Sequence, residues 1–455
     1  MAVLVGVPGL AAATEGERHL AGALLVPTVI LCTLGILSRG VPVDADLRRI
    51  EAVATLALIF VLSTILAVPA FMVLGLNWLD AVFEAASGIT TTGLSVARDA
   101  ESWPIAGHFL RAWMQWCGGV VMAVAGVALL IDSSRAAQVL GKESVGEADY
   151  FASTRAKARL VLAGYGAITI VGVVISIPLF PGWWEGPMVA LAAISTGGFT
   201  PRDSSIAEYS LAAKSFTLLL CVSTTVTVLF YAVAWKRGIA EAFRRGAVPV
   251  TLGIIAGGMV LHALLFGLLN GLEDHRALID SLLNHISAQT TAGFSATPVV
   301  PTSPLVLLMV AAMILGGDVG STTGGIKTAR VILLFRMIAL VFLRLRLPER
   351  ALSHLKVGDR RADAEAIIFA AALLAIYLVA TLIFWTALFA AGHPALPSLF
   401  DAISALSGVG LSAGVIGPDL GDPLKAMAAF AMLMGRLEFF VLIALFLPST
   451  WISRS

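Results

Sequence analysis

Four glycines in this chain of 455 residues are each followed by a bulky apolar residue and then by a hydroxyl residue. Each glycine ends a short apolar stretch, and another hydroxyl residue stands three positions before it. The glycines are Gly93, Gly198, Gly293 and Gly410. One such match would carry no weight, but four copies that align without gaps indicate an internal repeat.

The chemistry that this pattern favours is coordination of a cation by the backbone. Glycine reaches backbone angles that aim carbonyl groups inward, and it adds no side chain that would block a path. Rings of backbone carbonyls can replace the hydration shell of a monovalent cation. The alternative is that these are glycine turns where helices pack, which is common in membrane bundles. That alternative fits one copy well and four aligned copies poorly.

The segments before the glycines are too short to cross a membrane, so each is expected to enter, stop and turn back. An acidic residue near the start of each segment suits the positive end of a helix dipole. Asp80, Glu185 and Asp280 stand thirteen positions before their glycines, and Asp401 lies closer to the fourth. The opposite end of each short helix then points its free carbonyls at the glycine loop. No buried acid is expected beside the loops themselves.

The composition is that of an integral membrane protein. Hydrophobic residues make up 58% of the chain and charged residues only 13%, and the mean hydropathy is +0.92. A soluble fold needs more charge than this to cover its surface. The net charge of +1 gives no basic patch for nucleic acid, and the three cysteines have no pairing or metal-ligand spacing. A disulfide scaffold, a zinc site and a soluble enzyme are thereby excluded.

Several apolar runs are long enough to span a bilayer, which takes roughly 20 helical residues. They are 20–37, 52–76, 112–131, 160–180, 215–235, 247–269, 366–391 and 426–448. A ninth run, 305–343, is interrupted by small and polar residues. Lys and Arg concentrate in alternate connecting segments, which places those segments and the C-terminus in the cytoplasm. Whether residues 1–13 form a further span stays open.

The interruption predicts a flexible segment at mid-membrane, and the alternative is a kinked helix that does not move. Arg436 lies within another apolar run, where a charge costs ~2.5 kcal/mol or more, so it needs a partner. Asp318 or the carbonyls of the interruption are better partners than Glu438, which is on a different helix face. We expect Arg436 to hold the segment closed and to add an electrostatic barrier. Lys327 is expected to reach the cytoplasmic surface or to cap loop carbonyls, and the alternative is that it faces the ion path.

The glycine repeat, the loop 316–328 and the closing Gly435-Arg436-Leu437-Glu438 resemble the TrkH/KtrB family in the Trk/Ktr/HKT superfamily of potassium transporters. The resemblance covers nearly the whole chain from about residue 50. It implies an all-α integral membrane fold with four tandem units, each a span, a re-entrant pore helix and a second span. These units form a pseudo-fourfold, potassium-channel-like pore, and a short extra helical element precedes them.

The resemblance also implies unit boundaries and site residues. The expected segments are an N-terminal element 1–49 and pore repeats 50–135, 158–237, 247–345 and 364–450. The implied potassium filter residues are Thr91, Thr92, Gly93, Thr196, Gly197, Gly198, Thr291, Ala292, Gly293, Gly408, Val409 and Gly410. The implied gate residues are Gly316, Gly317, Asp318, Gly320, Ser321, Thr322, Thr323, Gly324, Gly325, Lys327 and Arg436.

The function implied by the resemblance is channel-like potassium uptake across the bacterial inner membrane. Glycine in all four loops favours potassium over sodium. The transported ion is K⁺, with no organic cofactor in this chain. The expected partners are a second copy of the chain, membrane lipid, and a cytosolic nucleotide-binding regulatory ring similar to TrkA or KtrA. Nucleic acid is not expected as a partner.

Two other classes of protein share some of these sequence features. A sodium- or proton-coupled secondary transporter also uses discontinuous helices, but it usually has twofold repeats and intramembrane carboxylates. An intramembrane enzyme would need an assembled nucleophile, base or metal set, and the sequence offers none, so the chain is not expected to be an enzyme. His108, His262, His285 and the other histidines form no spaced cluster, and core or interfacial roles are expected for them.

Overall fold

The computed structural model describes residues 1–40, 49–126, 154–244, 248–344, 356–357, 360–361 and 364–451. Almost all regular structure in these ranges is helical. The helices are α1 Ala2–Glu15, α2 Arg18–Leu37, α3 Arg49–Val73, α4 Trp78–Ile89, α5 Ile105–Ala125, α6 Thr154–Ser176, α7 Glu185–Ile194, α8 Leu211–Thr225, α9 Leu229–Arg237, α10 Ile239–Arg244, α11 Val248–Asn270, α12 His275–Gln289, α13 Leu305–Ile314, α14 Thr328–Arg344, α15 Ala364–Ala390, α16 Ala395–Ser407, α17 Asp422–Arg436, α18 Phe440–Phe446 and α19 Pro448–Trp451. Strands β1 Lys356–Val357 and β2 Arg360–Arg361 pair antiparallel, and three short 3₁₀ turns complete the structure.

A long helix, a short helix, a glycine loop and a further helical stretch follow one another four times along the chain. We call these four units by their helices: unit 1 is α3–α5, unit 2 is α6–α9, unit 3 is α11–α14 and unit 4 is α15–α18. The short helices α4, α7, α12 and α16 have 12, 10, 15 and 13 residues. At a rise of 1.5 Å per residue, each covers only about half to three quarters of a bilayer core of ~30 Å. The expected short helices are therefore confirmed.

Five described helices are long and apolar enough to cross a membrane, or seven if each of two bent pairs is one span. The bent pairs correct the sequence analysis, which predicted continuous spans over 215–235 and 426–448. Helices α8 and α9 meet at 83°, and α17 and α18 meet at 110°. Two of the three residues in each break are apolar, and neither break contains proline or glycine, so hydropathy alone did not reveal them. The chain is a multi-pass membrane protein.

The N-terminal residues form a helical hairpin, α1 and α2, which packs against α5 and α3 of unit 1. Gly16, with φ 84°, caps α1 in the left-handed conformation and turns the chain. A side chain on Gly9 would lie 2.9 Å from Leu25, so glycine permits the close approach of the two helices. The predicted extra N-terminal element is helical, as expected, although residues 41–48 fall outside the described part of the chain.

Candidate ion pathway

The four short helices end in the same way. Just beyond the end of each helix, a backbone amide donates a hydrogen bond to the carbonyl five residues earlier, which closes the terminus as in a Schellman motif. The donors and acceptors are Thr92 to Ser87 (3.0 Å), Gly197 to Ala192 (2.8 Å), Ala292 to Ser287 (2.9 Å) and Val409 to Ser404 (2.9 Å). The preceding residue is left-handed each time: Thr91, Thr196 and Thr291 at φ 53–56° and Gly408 at 61°. Three threonines hold a conformation that disfavours a Cβ, so one backbone path is built four times.

The four glycine loops meet one another in a closed cycle. Each glycine that the sequence analysis singled out lies against the carbonyl oxygen that precedes the glycine of the next loop, and a Cβ would overlap that oxygen. The pairs, glycine first, are Gly93 with Gly197, Gly198 with Ala292, Gly293 with Val409, and Gly410 with Thr92. All four glycines have φ between 75° and 101°. Segments far apart in sequence therefore bring four backbone carbonyls together.

Polar side chains inside three of the short helices hold the loops from behind, nine positions before the glycine. Glu84 Oε1 accepts from Ser95 Oγ at 2.5 Å and from the amide of Val96 at 2.8 Å. Asp401 is equally buried and accepts from four donors of the fourth loop, among them the amide of Ala413 at 2.6 Å. Asn284 does the same work in the third loop, donating to one carbonyl and accepting from one amide. The expectation of no buried acid beside the loops is wrong.

The second loop is held differently because Val189 occupies the equivalent position. Gln115 of α5 accepts from the amide of Phe199 at 3.1 Å and donates to the carbonyl of Gly197. The guanidinium of Arg111 stacks 3.9 Å from the Phe199 ring and lies 3.6 Å from Glu84. Unit 1 thus supplies the supports that unit 2 lacks.

Glu185 anchors the connection that follows the second loop. Tyr209 Oη donates to Glu185 Oε2 at 2.6 Å, and Arg202 lies 3.3 Å from the same oxygen. Burial and the neighbouring carboxylate raise the pKa of Tyr209, so the phenol keeps the proton that it donates.

Residues 315–327 join α13 to α14 as irregular backbone, which matches the interruption expected at 316–328. Its base is closed by the Gly316 amide donating to Ile326 at 2.9 Å and by Thr328 Oγ1 donating to Gly316 at 2.8 Å. The broken helix α8 ends beside it, and the amide of Asp318 donates to the free carbonyl of Thr225 at 3.0 Å. Because the helix breaks between α8 and α9, carbonyls at the end of α8 have no partner within the helix and can accept hydrogen bonds from residues 315–327.

This 315–327 segment, which we call the intramembrane loop, contacts the inner ends of the glycine loops. Thr196 Oγ1 donates to the carbonyl of Thr322 at 3.0 Å, and the Gly324 amide donates to Thr291 Oγ1 at 2.8 Å. Thr196 and Thr291 are two of the implied filter residues. The implied filter and the implied gate are thus in direct contact.

The intramembrane loop also donates hydrogen bonds to backbone carbonyls at the ends of two short helices. The Gly325 amide donates to Ser407 of α16 at 2.9 Å, and Thr322 Oγ1 donates to Ile194 of α7 at 3.3 Å. These carbonyls carry the partial negative charge of the helix ends.

Arg436, at the end of α17, contacts the intramembrane loop. It is 2% exposed, and its Nη1 donates to the Thr322 carbonyl at 2.7 Å. Glu438 turns away and pairs with Arg330 of α14 at 2.7 Å. The prediction that Arg436 binds a loop carbonyl and not Glu438 is confirmed.

Lys327 is buried, and its Nζ donates to the carbonyl of Thr323 at 2.5 Å. It therefore caps a loop carbonyl, and the alternative of reaching the cytoplasmic surface is wrong. Together with Arg436 it places two cationic side chains beside the intramembrane loop.

Comparisons with known proteins decide the family. The family model for TrkH, described as a cation transport protein, matches residues 50–236 and 213–455. The chain belongs to the TrkH family.

The chain is similar to an uncharacterized cation transporter of Methanocaldococcus jannaschii, with 26% identity over 93% of this chain and 87% of that protein. It is also similar to the Trk system potassium uptake protein TrkG of Escherichia coli, with 28% identity over 83% of this chain and 80% of that one. The crystal structure of the potassium transporter TrkH from Vibrio parahaemolyticus shares the fold, with a TM-score of 0.84, 23% identity, and coverage of 99% and 97%.

Within this TrkH-family fold, the acidic residues at the starts of the short helices tie units together. Lys425 Nζ lies 2.6 Å from Asp80, and Lys214 Nζ lies 2.9 Å from Asp280, each pair joining two units. Of the four acids assigned to helix starts, Asp80 and Glu185 lie in a first turn, whereas Asp280 and Asp401 lie deeper. The dipole role is therefore wrong for Asp280, which pairs with Lys214, and for Asp401, which binds its own loop.

The structure also brings together two histidines that the sequence analysis left apart. The rings of His262 and His285 are 4.8 Å apart. Their spacing along the chain gave no signal, because α11 and α12 run antiparallel and meet only in the fold. No group of three or more His, Cys, Asp or Glu that could hold a metal occurs among the described residues.

Proposed function

We propose that this chain conducts potassium across the membrane through a ring of backbone carbonyls. The residues lining it are the implied filter residues of the four loops, from Thr91–Gly93 to Gly408–Gly410. Relatives named as potassium uptake proteins support K⁺ as the transported ion. Potassium is the cargo in this proposal, and no organic cofactor or enzymatic activity is assigned to the chain.

The observation that carries the proposal is the closed cycle of glycines and carbonyls. A cation that leaves water needs several oxygens at once, and single turns scattered through a bundle cannot supply them. Here every loop contributes the carbonyl before its glycine, and every glycine makes room for the neighbouring loop. The four units, with the boundaries 50–135, 158–237, 247–345 and 364–450, would then surround one pseudo-fourfold axis.

The intramembrane loop acts as the gate in this proposal. It occupies helix-end carbonyls and contacts two filter threonines, so a cation leaving the filter meets backbone donors and the charges of Arg436 and Lys327. Both the occupied acceptors and the positive charge oppose passage. Conduction requires the loop to give up its bonds to Thr196, Thr291 and Arg436.

The cellular setting follows from the family. We propose a bacterial inner-membrane location with a cytoplasmic C-terminus, assembly as a homodimer, and control by a cytosolic nucleotide-binding ring similar to TrkA or KtrA. The basic segment 132–159, which would face such a ring, lies almost wholly outside the described residues.

The competing proposal is a sodium- or proton-coupled secondary transporter. The buried carboxylates Glu84 and Asp401 give it some support, since such transporters use intramembrane acids. Their oxygens, however, are taken up by the backbone behind the filter loops, an arrangement that suits a structural support better than an exchangeable coupling site.

The test is uptake of ⁸⁶Rb⁺ into liposomes that contain the purified chain. An outward potassium gradient should drive uptake without sodium or a pH gradient, and external K⁺ should compete far better than Na⁺. Protein-free liposomes give the background. Uptake that requires a sodium or proton gradient would favour the coupled transporter, and uptake that requires an organic solute would refute both proposals.

A further inference from the structure

Unit 3 contains a buried polar cluster behind its short helix that the other units lack. His262 on α11 faces His285 on α12, and both are at most 1% exposed. Gln289 lies four residues after His285, on the same face of α12. At the position aligned with His285 the other units have alanine, and at the position aligned with Gln289 they have isoleucine or leucine. These are Ala85 and Ile89, Ala190 and Ile194, and Ala402 and Leu406.

Most of the polar atoms in this cluster have no hydrogen-bond partner within the part of the chain that the structure describes. These atoms are both ring nitrogens of His285, the Nδ1 of His262 and the Oε1 of Gln289, and all four are buried. Leaving a buried polar atom unpaired costs about 1–3 kcal/mol. Four such atoms in one place indicate that something other than protein satisfies them.

Gly258 of α11 makes room for the cluster. A Cβ on this glycine would lie 2.7 Å from His285 Nε2 and 2.7 Å from Gln289 Oε1. The imidazole nitrogen and the amide oxygen therefore converge on one point of α11. Gly258 and His262 are also four residues apart, so they share the helix face that meets α12.

The donor set matches one class of ligand. A neutral imidazole offers one nitrogen lone pair, and imidazole is the side chain that zinc, copper and nickel ions prefer. His262 Nε2 is 2.8 Å from Ser281 Oγ, which leaves Nδ1 as the free donor. A metal-bound histidine normally makes such a bond through its other nitrogen, because the bond fixes the ring.

The spacing of the rings agrees with a shared ion. With zinc–nitrogen bonds of ~2.0 Å, two rings on one ion have centroids about 5 Å apart. The observed separation is 4.8 Å. The exclusion of a zinc site in the sequence analysis rested on the spacing of the cysteines and did not consider histidines that meet only in the fold. We propose that His262, His285 and Gln289 bind a divalent transition-metal ion between α11 and α12.

Charged side chains on the neighbouring helices neither repel such an ion nor serve as its ligands. Asp280 of α12 is paired with Lys214 of α8, and α13 carries no ionisable side chain. The ligands that this chain offers at the site are therefore neutral.

The proposed metal site also borders the base of the intramembrane loop, so a bound ion should affect that loop. Gln289 also lines a small cavity of about 10 Å³ with Thr251, Gly316 and Thr328, at the base of the intramembrane loop. Thr328 bonds the Gly316 carbonyl there. A metal ion bound to Gln289 would fix the side of the cavity against which the base of the intramembrane loop packs. Metal binding should therefore slow the flux of the transported cation.

The test is metal binding to the purified full-length chain after treatment with a chelator. Zn²⁺ is titrated by calorimetry, and Co²⁺ is followed by its visible absorption. We expect about one ion per chain, as for a single small site. Absence of Zn²⁺ binding by the unaltered protein overturns the proposal, and the unbonded atoms are then satisfied by ordered water alone.

Two neighbouring glycines provide the matched variants. Gly258→Ala places a methyl group between the donors without removing one, whereas a Cβ on Gly257 meets nothing within 4 Å. Gly258→Ala should weaken Zn²⁺ binding at least about tenfold, and Gly257→Ala should leave it unchanged. Wild-type affinity in Gly258→Ala overturns the proposal.

A second variant decides the matter if Gly258→Ala fails to fold. His285→Ala with Gln289→Ile gives unit 3 the residues that unit 1 has at these positions, so folding should survive while binding is lost. Zn²⁺ should also slow ⁸⁶Rb⁺ flux in the unaltered protein and not in this double variant. Binding is read without flux, so a chain that binds Zn²⁺ but moves no Rb⁺ contradicts the proposed function and not the metal site.

Discussion

Arg436 Nη1 donates a hydrogen bond to the carbonyl oxygen of Thr322, 2.7 Å away. The same oxygen accepts from Thr196 Oγ1 at 3.0 Å. One backbone carbonyl of the intramembrane loop is thus held by the arginine of α17 and by Thr196 of unit 2, which we propose as a filter residue. Because the arginine is buried, its bond acts in a medium that screens charge poorly.

Replacing Arg436 by alanine should speed ion flux. A hydrogen bond from a charged donor contributes about 1.5–3 kcal/mol, and 1.4 kcal/mol corresponds to a factor of about ten. We therefore expect about tenfold faster ⁸⁶Rb⁺ uptake, with an intermediate value for Arg436→Lys. Arg98→Ala, which removes an exposed outer arginine, is the control. Unchanged uptake in Arg436→Ala would leave the arginine a structural role only.

Replacing Gly293 by serine should damage ion discrimination. The position has φ 75°, which costs an L-residue about 1–2 kcal/mol, and the new Cβ would overlap the carbonyl oxygen of Val409. Loops 3 and 4 must then move apart. We expect slower Rb⁺ uptake and stronger competition by Na⁺. Gly421→Ser is the matched control, because Gly421 has φ −61° and open space around it. Equal Na⁺ competition in both variants would contradict the proposed filter.

The glycine loops and short helices were predictable because their signal is local and occurs four times. The side chains that hold the loops from behind were not predictable, although they occupy one aligned position in the repeat. That position holds Glu84, Val189, Asn284 and Asp401, which differ in charge and in polarity. Only the structure shows that three of them do one job and that unit 1 supplies the fourth support from Gln115.

The helix breaks also escaped prediction, for a different reason. Val226 and Phe439 are apolar and continue the hydrophobic run, so composition favours an unbroken span. Glu438 and Phe439 nevertheless adopt left-handed backbone angles, φ 51° and 59°. Such angles are costly without glycine and persist only where surrounding contacts impose them.

Replacing Glu84 by alanine should destabilise the chain more than the loss of its loop bonds alone predicts. The carboxylate is 0% exposed and neutralises Arg111, which is also buried. Removing one partner of a buried ion pair costs about 3–5 kcal/mol because it leaves a charge unpaired. Thermal unfolding in detergent should show a clear fall in midpoint, and adding Arg111→Met should recover part of it. A strictly additive double variant would show that the two residues act independently.

The pair of Arg330 and Glu438 should stabilise the closed loop from its C-terminal side. Arg330 lies on α14, two residues after that helix begins, and Glu438 lies in the bend between α17 and α18, with 2.7 Å between the charged groups. The pair therefore links the helix that leaves the loop to the helix that carries Arg436. Glu438→Gln weakens this link without changing side-chain size, so ⁸⁶Rb⁺ uptake should rise several-fold. The reversed pair, Arg330→Glu with Glu438→Arg, should return uptake toward the original rate, whereas each single reversal should not. If the reversed pair behaves like the single reversals, mutual attraction is not what holds the loop, and the bend itself must do so.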